Sequence, residues 1–270
     1  MSWFRILAHD LRAGTLRKRY LFVPLLFLVG CVLFQIRIPM QGLTGSWMDR
    51  ILFCFNGMHP LESANGFELP IGWFFIMAGG LYFQLDHLLE DLTEAGQQVI
   101  VRSGGRWGWF LSKCVWNVLT CGVIVCIGLI TTLVFSVIFG GTVSLTNTMD
   151  ATMLVLGAYS RTPLTVLQAV WVGVLLPYLT IVAVCQLQMT LCLFFRPIIS
   201  FLSCVSLLVV SLLISHPGIL GNGAQTLRSV LLGGTLEPGT LTAVVFGALV
   251  LSVLAGAIRF GRMDLLRYEE

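Results

Sequence analysis

Four long stretches of this chain contain no Asp, Glu, Lys or Arg. They lie between Lys113 and Asp150, between Arg161 and Arg196, between Arg196 and Arg228, and between Glu237 and Arg259. An ionised side chain is costly to place in hydrocarbon, so runs of this length point to a bilayer as the solvent. Of the 270 residues, 57% are hydrophobic and only 11% charged, outside the range of soluble globular domains. A spanning helix needs roughly 20 mostly apolar residues. Six stretches qualify: 20–36, 69–85, 114–139, 164–194, 198–215 and 241–258. The expected fold class is therefore all-α integral membrane, with six transmembrane helices in one domain over 20–270. Little chain remains outside them, so no soluble catalytic domain fits.

Lys and Arg set the expected orientation. With the N-terminus in the cytoplasm, the inner segments hold Arg5, Arg12, Arg17, Lys18, Arg19, Arg102, Arg106, Lys113, Arg196, Arg259, Arg262 and Arg267. The outer segments hold Arg37, Arg50, Arg161 and Arg228. That asymmetry favours both termini inside. The net charge of +3 reports this bias and not a nucleic-acid partner. A basic stretch precedes the first apolar run and no small-residue cleavage site follows it, so the first helix is expected to be retained.

Residues 1–19 form an amphipathic pattern. Trp3, Phe4, Ile6, Leu7 and Leu11 share one arc of a helical wheel, while Arg5, His9 and Arg12 lie opposite and Asp10 interrupts the apolar side. This predicts an interfacial helix on the inner membrane surface. The first outer loop carries a possible short helix over 47–55. The second helix leads into the most polar stretch, 86–113, where Asp86, Glu90 and Glu94 recur every four residues and form one acidic face. Gly96 interrupts that helix, and Gly104 and Gly105 break the chain before the third span. The fourth apolar run holds Pro177 near its middle, which predicts a kink. Asn117, Gln168, Gln186 and Gln188 put amides into apolar runs, where they either line a path or join neighbouring helices. The connection 217–237 is apolar and glycine-rich but too short to cross, which predicts a re-entrant hairpin between helices five and six.

Motifs for enzymatic chemistry are missing. There is no GxxxxGK[ST], no GxSxG and no HExxH. The four histidines occupy four different segments. The eight cysteines show no CxxC and no zinc spacing, and they read as small apolar filler in helices. No metal site is expected. No Asp, Glu, Lys or Arg falls in the middle of a predicted span, so an ion-coupled mechanism lacks its usual groups.

The arrangement resembles the permease subunits of ABC type-2 transporters. The resemblance rests on the surface helix, the six spans, the charge bias, the polar elbow and the apolar connection before the last span. The most family-like stretch is Glu90-Asp91-Leu92-Thr93-Glu94-Ala95-Gly96, then Val99-Ile100-Val101-Arg102-Ser103, then Arg106 to Lys113. Gly104-Gly105 departs from the longer polar or proline-bearing turn common in the family. The resemblance implies that 86–113 is a cytoplasmic coupling loop, in which Asp86, Glu90, Asp91, Glu94, Gly96, Arg102 and Arg106 meet a separate ATPase. It further implies two copies of a cytoplasmic ABC ATPase that carry ATP and Mg, a second permease (identical or homologous), and a place in the cytoplasmic membrane. The chain itself would hold no cofactor and no ATP site. Its role would be export of an amphipathic cargo: a peptide, an antibiotic or a lipid-like molecule. A stand-alone secondary transporter or channel, or an intramembrane enzyme or assembly factor, are the alternatives.

Overall fold

The structure, a computed structural model, describes residues 18–40, 45–59, 69–85, 106–158 and 163–262. Among them all regular structure is helical, apart from two isolated bridges, Ser46 with Thr142 and Ser229 with Leu236. After a 3-10 turn at Lys18–Phe22 come α1 (Val23–Met40), α2 (Trp47–Cys54), α3 (Ile71–Gln84), α4 (Arg106–Ile138), α5 (Met149–Leu154), α6 (Val166–Leu191), α7 (Pro197–Leu213) and α8 (Pro238–Arg262). Helices satisfy the backbone groups of their interior locally, which is what a lipid environment demands.

Four of these segments are long and apolar enough to cross a bilayer: Tyr20–Ile38, Trp107–Ile138, Val166–Leu191 and Pro238–Arg262. The chain is thus a multi-pass membrane protein. The second and fifth predicted spans become the shorter apolar helices α3, of 14 residues, and α7, of 17 residues. Proline sets their starts: Pro70 is the N-cap of α3, and Pro197 opens α7. The interfacial helix expected at 1–19 and the elbow at 86–105 lie outside the described residues. Residues 106–113 belong to α4, not to a loop, and form its first two turns. Trp109 and Phe110 of those turns are buried, and Trp109 stacks on Phe260 of α8 with ring centroids 4.8 Å apart.

The end of α4 shows how local sequence stops a helix. Gly140 adopts φ +69°. Its amide donates to Val137 O at 3.4 Å, and the amide of Gly141 donates to Ser136 O at 2.8 Å. This is a Schellman arrangement, which needs the left-handed conformation that glycine adopts without strain.

α6 is the axis of the bundle. Of its apolar stretch, 61% is buried, against 33, 39 and 28% for the stretches on α1, α4 and α8. It packs against α3, α4, α7 and α8, while α1 packs on α3 and α4. Phe27 of α1 fills the space over Gly128 of α4, where an added Cβ would lie 2.3 Å from the ring.

The connection after α7 contains three 3-10 turns, Leu220–Ala224, Thr226–Arg228 and Val230–Leu232. Residues 220–229 are all buried, and the first turn packs against α6, α7 and α8. The connection thus packs as a plug of 3-10 turns against these helices.

Candidate functional site

The interior of the bundle holds a seam of amides and thiols. Asn117 on α4 donates from Nδ2 to Val182 O at 3.1 Å and to Gln186 Oε1 at 3.2 Å, both on α6. Its Oδ1 accepts from Cys121 Sγ at 3.4 Å. Gln84 on α3 reaches the same thiol, Nε2 to Sγ 3.0 Å. Gln186 Nε2 donates to Cys114 Sγ at 3.4 Å, and Gln188 Nε2 donates to Leu81 O at 3.2 Å. The seam therefore ties α3, α4 and α6 together. Gln188 Oε1 is buried and has no hydrogen-bond partner. Gln188 lines a small cavity with Gln84, Trp116, Cys185, Met189 and Cys192, with room for about one water.

The structure brings Asn117, Gln186 and Gln188 into this interior and leaves Gln168 apart. Gln168 closes a capping box with Thr165 at the start of α6, accepting from the Thr165 amide at 3.1 Å while its own amide donates to Thr165 Oγ1. Between that start and Pro177 lies a π-helical turn, Trp171–Leu175. Pro177 has no N–H and its ring crowds the carbonyl four residues back, so the preceding turn widens. The amide of Leu176 reaches Trp171 O in the π pattern. The helix continues through the proline to Leu191.

α2 packs against this widened turn. A Cβ on Gly173 would lie 3.1 Å from Leu52 and 3.4 Å from Met48. α2 itself is held by two buried side chains, Asp49 and Arg50. Asp49 completes a capping box with Ser46, accepting from its amide at 2.8 Å. It also accepts from the amide and the hydroxyl of Thr148 and from Thr152 Oγ1. Burial pushes the Asp49 carboxyl above its usual value, against the opposing effect of the Thr148 and Ser46 hydrogen bonds. Arg50 donates to Gln35 Oε1 at 3.2 Å and lies over the rings of Phe34 and Phe135. Burial pulls its pKa down, while the nearby Cys31, Asp49 and Cys54 oppose that.

The plug is tied to the end of α2. Thr226 Oγ1 donates to Leu52 O at 3.1 Å, and the amides of Thr226 and Leu227 donate to Phe55 O and Asn56 O. Gln225 Oε1 accepts from the Met58 amide at 3.0 Å. Arg228 is fully buried, and burial lowers its pKa to about 10, so it stays charged at neutral pH.

Sequence reasoning counted Arg50 and Arg228 as outer-loop charges and did not single out Asp49. The Ser46-x-x-Asp49 spacing is the readable signal for a capped helix at α2. The remaining predicted residues, Asp86, Glu90, Asp91, Glu94, Gly96 and Arg102, lie outside the described residues, and Arg106 opens α4. Among the described residues, no group of three or more His, Cys, Asp or Glu is placed to hold a metal ion. All eight cysteines are free thiols.

No curated protein and no solved structure matches this chain significantly. A family model described as a protein of unknown function (DUF2705) matches residues 21–266. The chain therefore belongs to the DUF2705 family.

Proposed function

We propose that this chain is the membrane-spanning permease subunit of an ATP-driven exporter, paired with a second permease and served by separate cytoplasmic ATPases. In this reading α3 and α7 complete a set of six membrane helices, both termini face the cytoplasm, and the 3-10 plug is the re-entrant element on the outer side. The cargo is amphipathic, in keeping with an interior of aliphatic side chains, thiols and amides.

One observation carries the reading. Among the described residues of the four long helices, no Asp or Glu occurs, and the basic residues Arg37, Arg106, Lys113, Arg259 and Arg262 fall near helix ends. A transporter coupled to an ion gradient commonly carries ionisable groups at mid-membrane. An active transporter built on such a bundle, without a P-loop, would draw its energy from another chain. The stretch 86–105 leads directly into α4, so a push on it would be delivered to that helix and through Asn117 to α6.

Charge reversal of the elbow tests this. In the assembled complex, Glu90→Lys with Glu94→Lys should leave insertion and ATP hydrolysis intact while abolishing cargo export. Unchanged export in that variant would remove the elbow from the mechanism.

A further inference from the structure

The end of the bundle where α4 begins and α8 ends is built differently from the opposite end. At this end Arg196, Arg259 and Arg262 are exposed, and the first turn of α7 carries no acidic residue. Around them stand exposed apolar side chains: Trp107 at 63%, Phe194 at 50%, Phe195 at 52% and Ile198 at 56%.

Arg259 does not dangle. Its Nε donates to Leu193 O at 3.3 Å, and its guanidinium lies 5.1 Å from the centre of the Phe194 ring. The helix beneath it is fixed by Phe260, stacked on Trp109 and lying beside Phe110. Arg196 follows Leu193 by three residues, and Arg262 follows Arg259 by one turn. A cation held in place beside an exposed aromatic ring, with two more exposed arginines at the same end, matches a phosphate headgroup above and acyl chains below.

We propose that this end binds an anionic phospholipid, with Arg259 and Arg196 donating to the headgroup phosphate and Phe194, Phe195 and Trp107 contacting its chains. Arg262 adds charge at the rim. The proposal rests on the chain lying in a bilayer and not on what the chain exports, so it stands or falls separately from the transport reading.

The test is native mass spectrometry of the full chain released from vesicles of equal parts phosphatidylglycerol and phosphatidylcholine. Each arginine near an anionic surface is worth about fivefold in binding, so wild type should retain phosphatidylglycerol in clear excess. Arg196→Gln, at an exposed side chain on the N-cap of α7, should cut that excess about fivefold. Arg196→Gln with Arg259→Gln should abolish it. Arg37→Gln, an exposed arginine at the opposite end, should leave it unchanged. Equal retention of both lipids by wild type would overturn the proposal. So would an excess that survives the double substitution or falls equally with Arg37→Gln. Displacement of the lipid by millimolar inorganic phosphate would assign the site to a soluble anion instead.

Discussion

Arg228 donates from Nη2 to the carbonyl oxygen of Leu212 at 2.7 Å, placing a buried cation on the last turn of α7. Helix ends leave carbonyls without partners, and a cation there also opposes the helix dipole. Gln225 and Asn222 complete the cap: Gln225 Nε2 donates to Ser211 O at 2.9 Å, and Asn222 Nδ2 donates to Ile214 O at 2.9 Å. The plug therefore finishes the helix that precedes it. Arg228→Ala should lower stability by about 2 kcal/mol, the range for a hydrogen bond from a charged donor. Thermal unfolding of the purified chain in mild detergent reads this directly. A melting temperature equal to wild type would mean the carbonyl finds another partner.

Asp49 gives a pH signature. A carboxyl whose folded pKa is raised above its ordinary 3.8 binds more protons in the folded state than in the unfolded one. Its contribution to stability is therefore present below that pH and is lost as pH rises through the raised value. Asp49→Asn cannot titrate. The stability of wild type relative to Asp49→Asn should thus fall as pH is raised from 3.8 and then level off. Asp49→Ala keeps the Ser46 hydroxyl on the residue-49 amide but should lose the carboxyl half of the capping box at every pH, about 1 kcal/mol. Melting temperatures across the acid range, measured on all three proteins, check both statements.

Asn117 and Gln186 are expected to act as a pair. Removing one leaves its partner's amide in an apolar interior, whereas removing both leaves neither stranded. Asn117→Leu and Gln186→Leu should each destabilise the chain, and the double variant should recover part of the loss. The coupling between polar side chains of membrane helices is about 0.5–1.5 kcal/mol. Additive losses, or a double variant that melts like wild type yet no longer exports cargo, would make these amides part of a path and not of the packing.

The helices were legible because a bilayer imposes one requirement on every residue that faces it. Long charge-free runs follow from that, and so do α4, α6 and α8. Pro70 was in plain view and sets the start of the second helix at Ile71, whereas the fifth opens at Pro197, one residue before its expected start, and is shorter only because it ends at Leu213. The set of contacts that holds α2 to Thr148 and to the 3-10 turns was not legible. It depends on contacts such as Asp49 with Thr148 and Thr226 with Leu52, which join residues far apart in the chain. A charged residue in a short segment between apolar runs reads as solvated, and only the fold shows that Arg50 and Arg228 are enclosed. Likewise Gln168 looks like Gln186 in the sequence, but a Thr165 three residues earlier assigns it to a helix cap. The predicted short helix over 47–55 agrees with α2 at Trp47–Cys54, because an apolar run bounded by Ser46 and Gly57 has few other ways to bury itself.

The proposed dependence of this chain on a separate ATPase has a direct readout. It is tested most directly by purifying the tagged full chain from native membranes in mild detergent and identifying every protein that comes with it. The account predicts a stoichiometric P-loop ATPase and measurable ATP hydrolysis by the complex. A folded chain that emerges alone, and that moves cargo in vesicles with an ion gradient and no ATP, would contradict it.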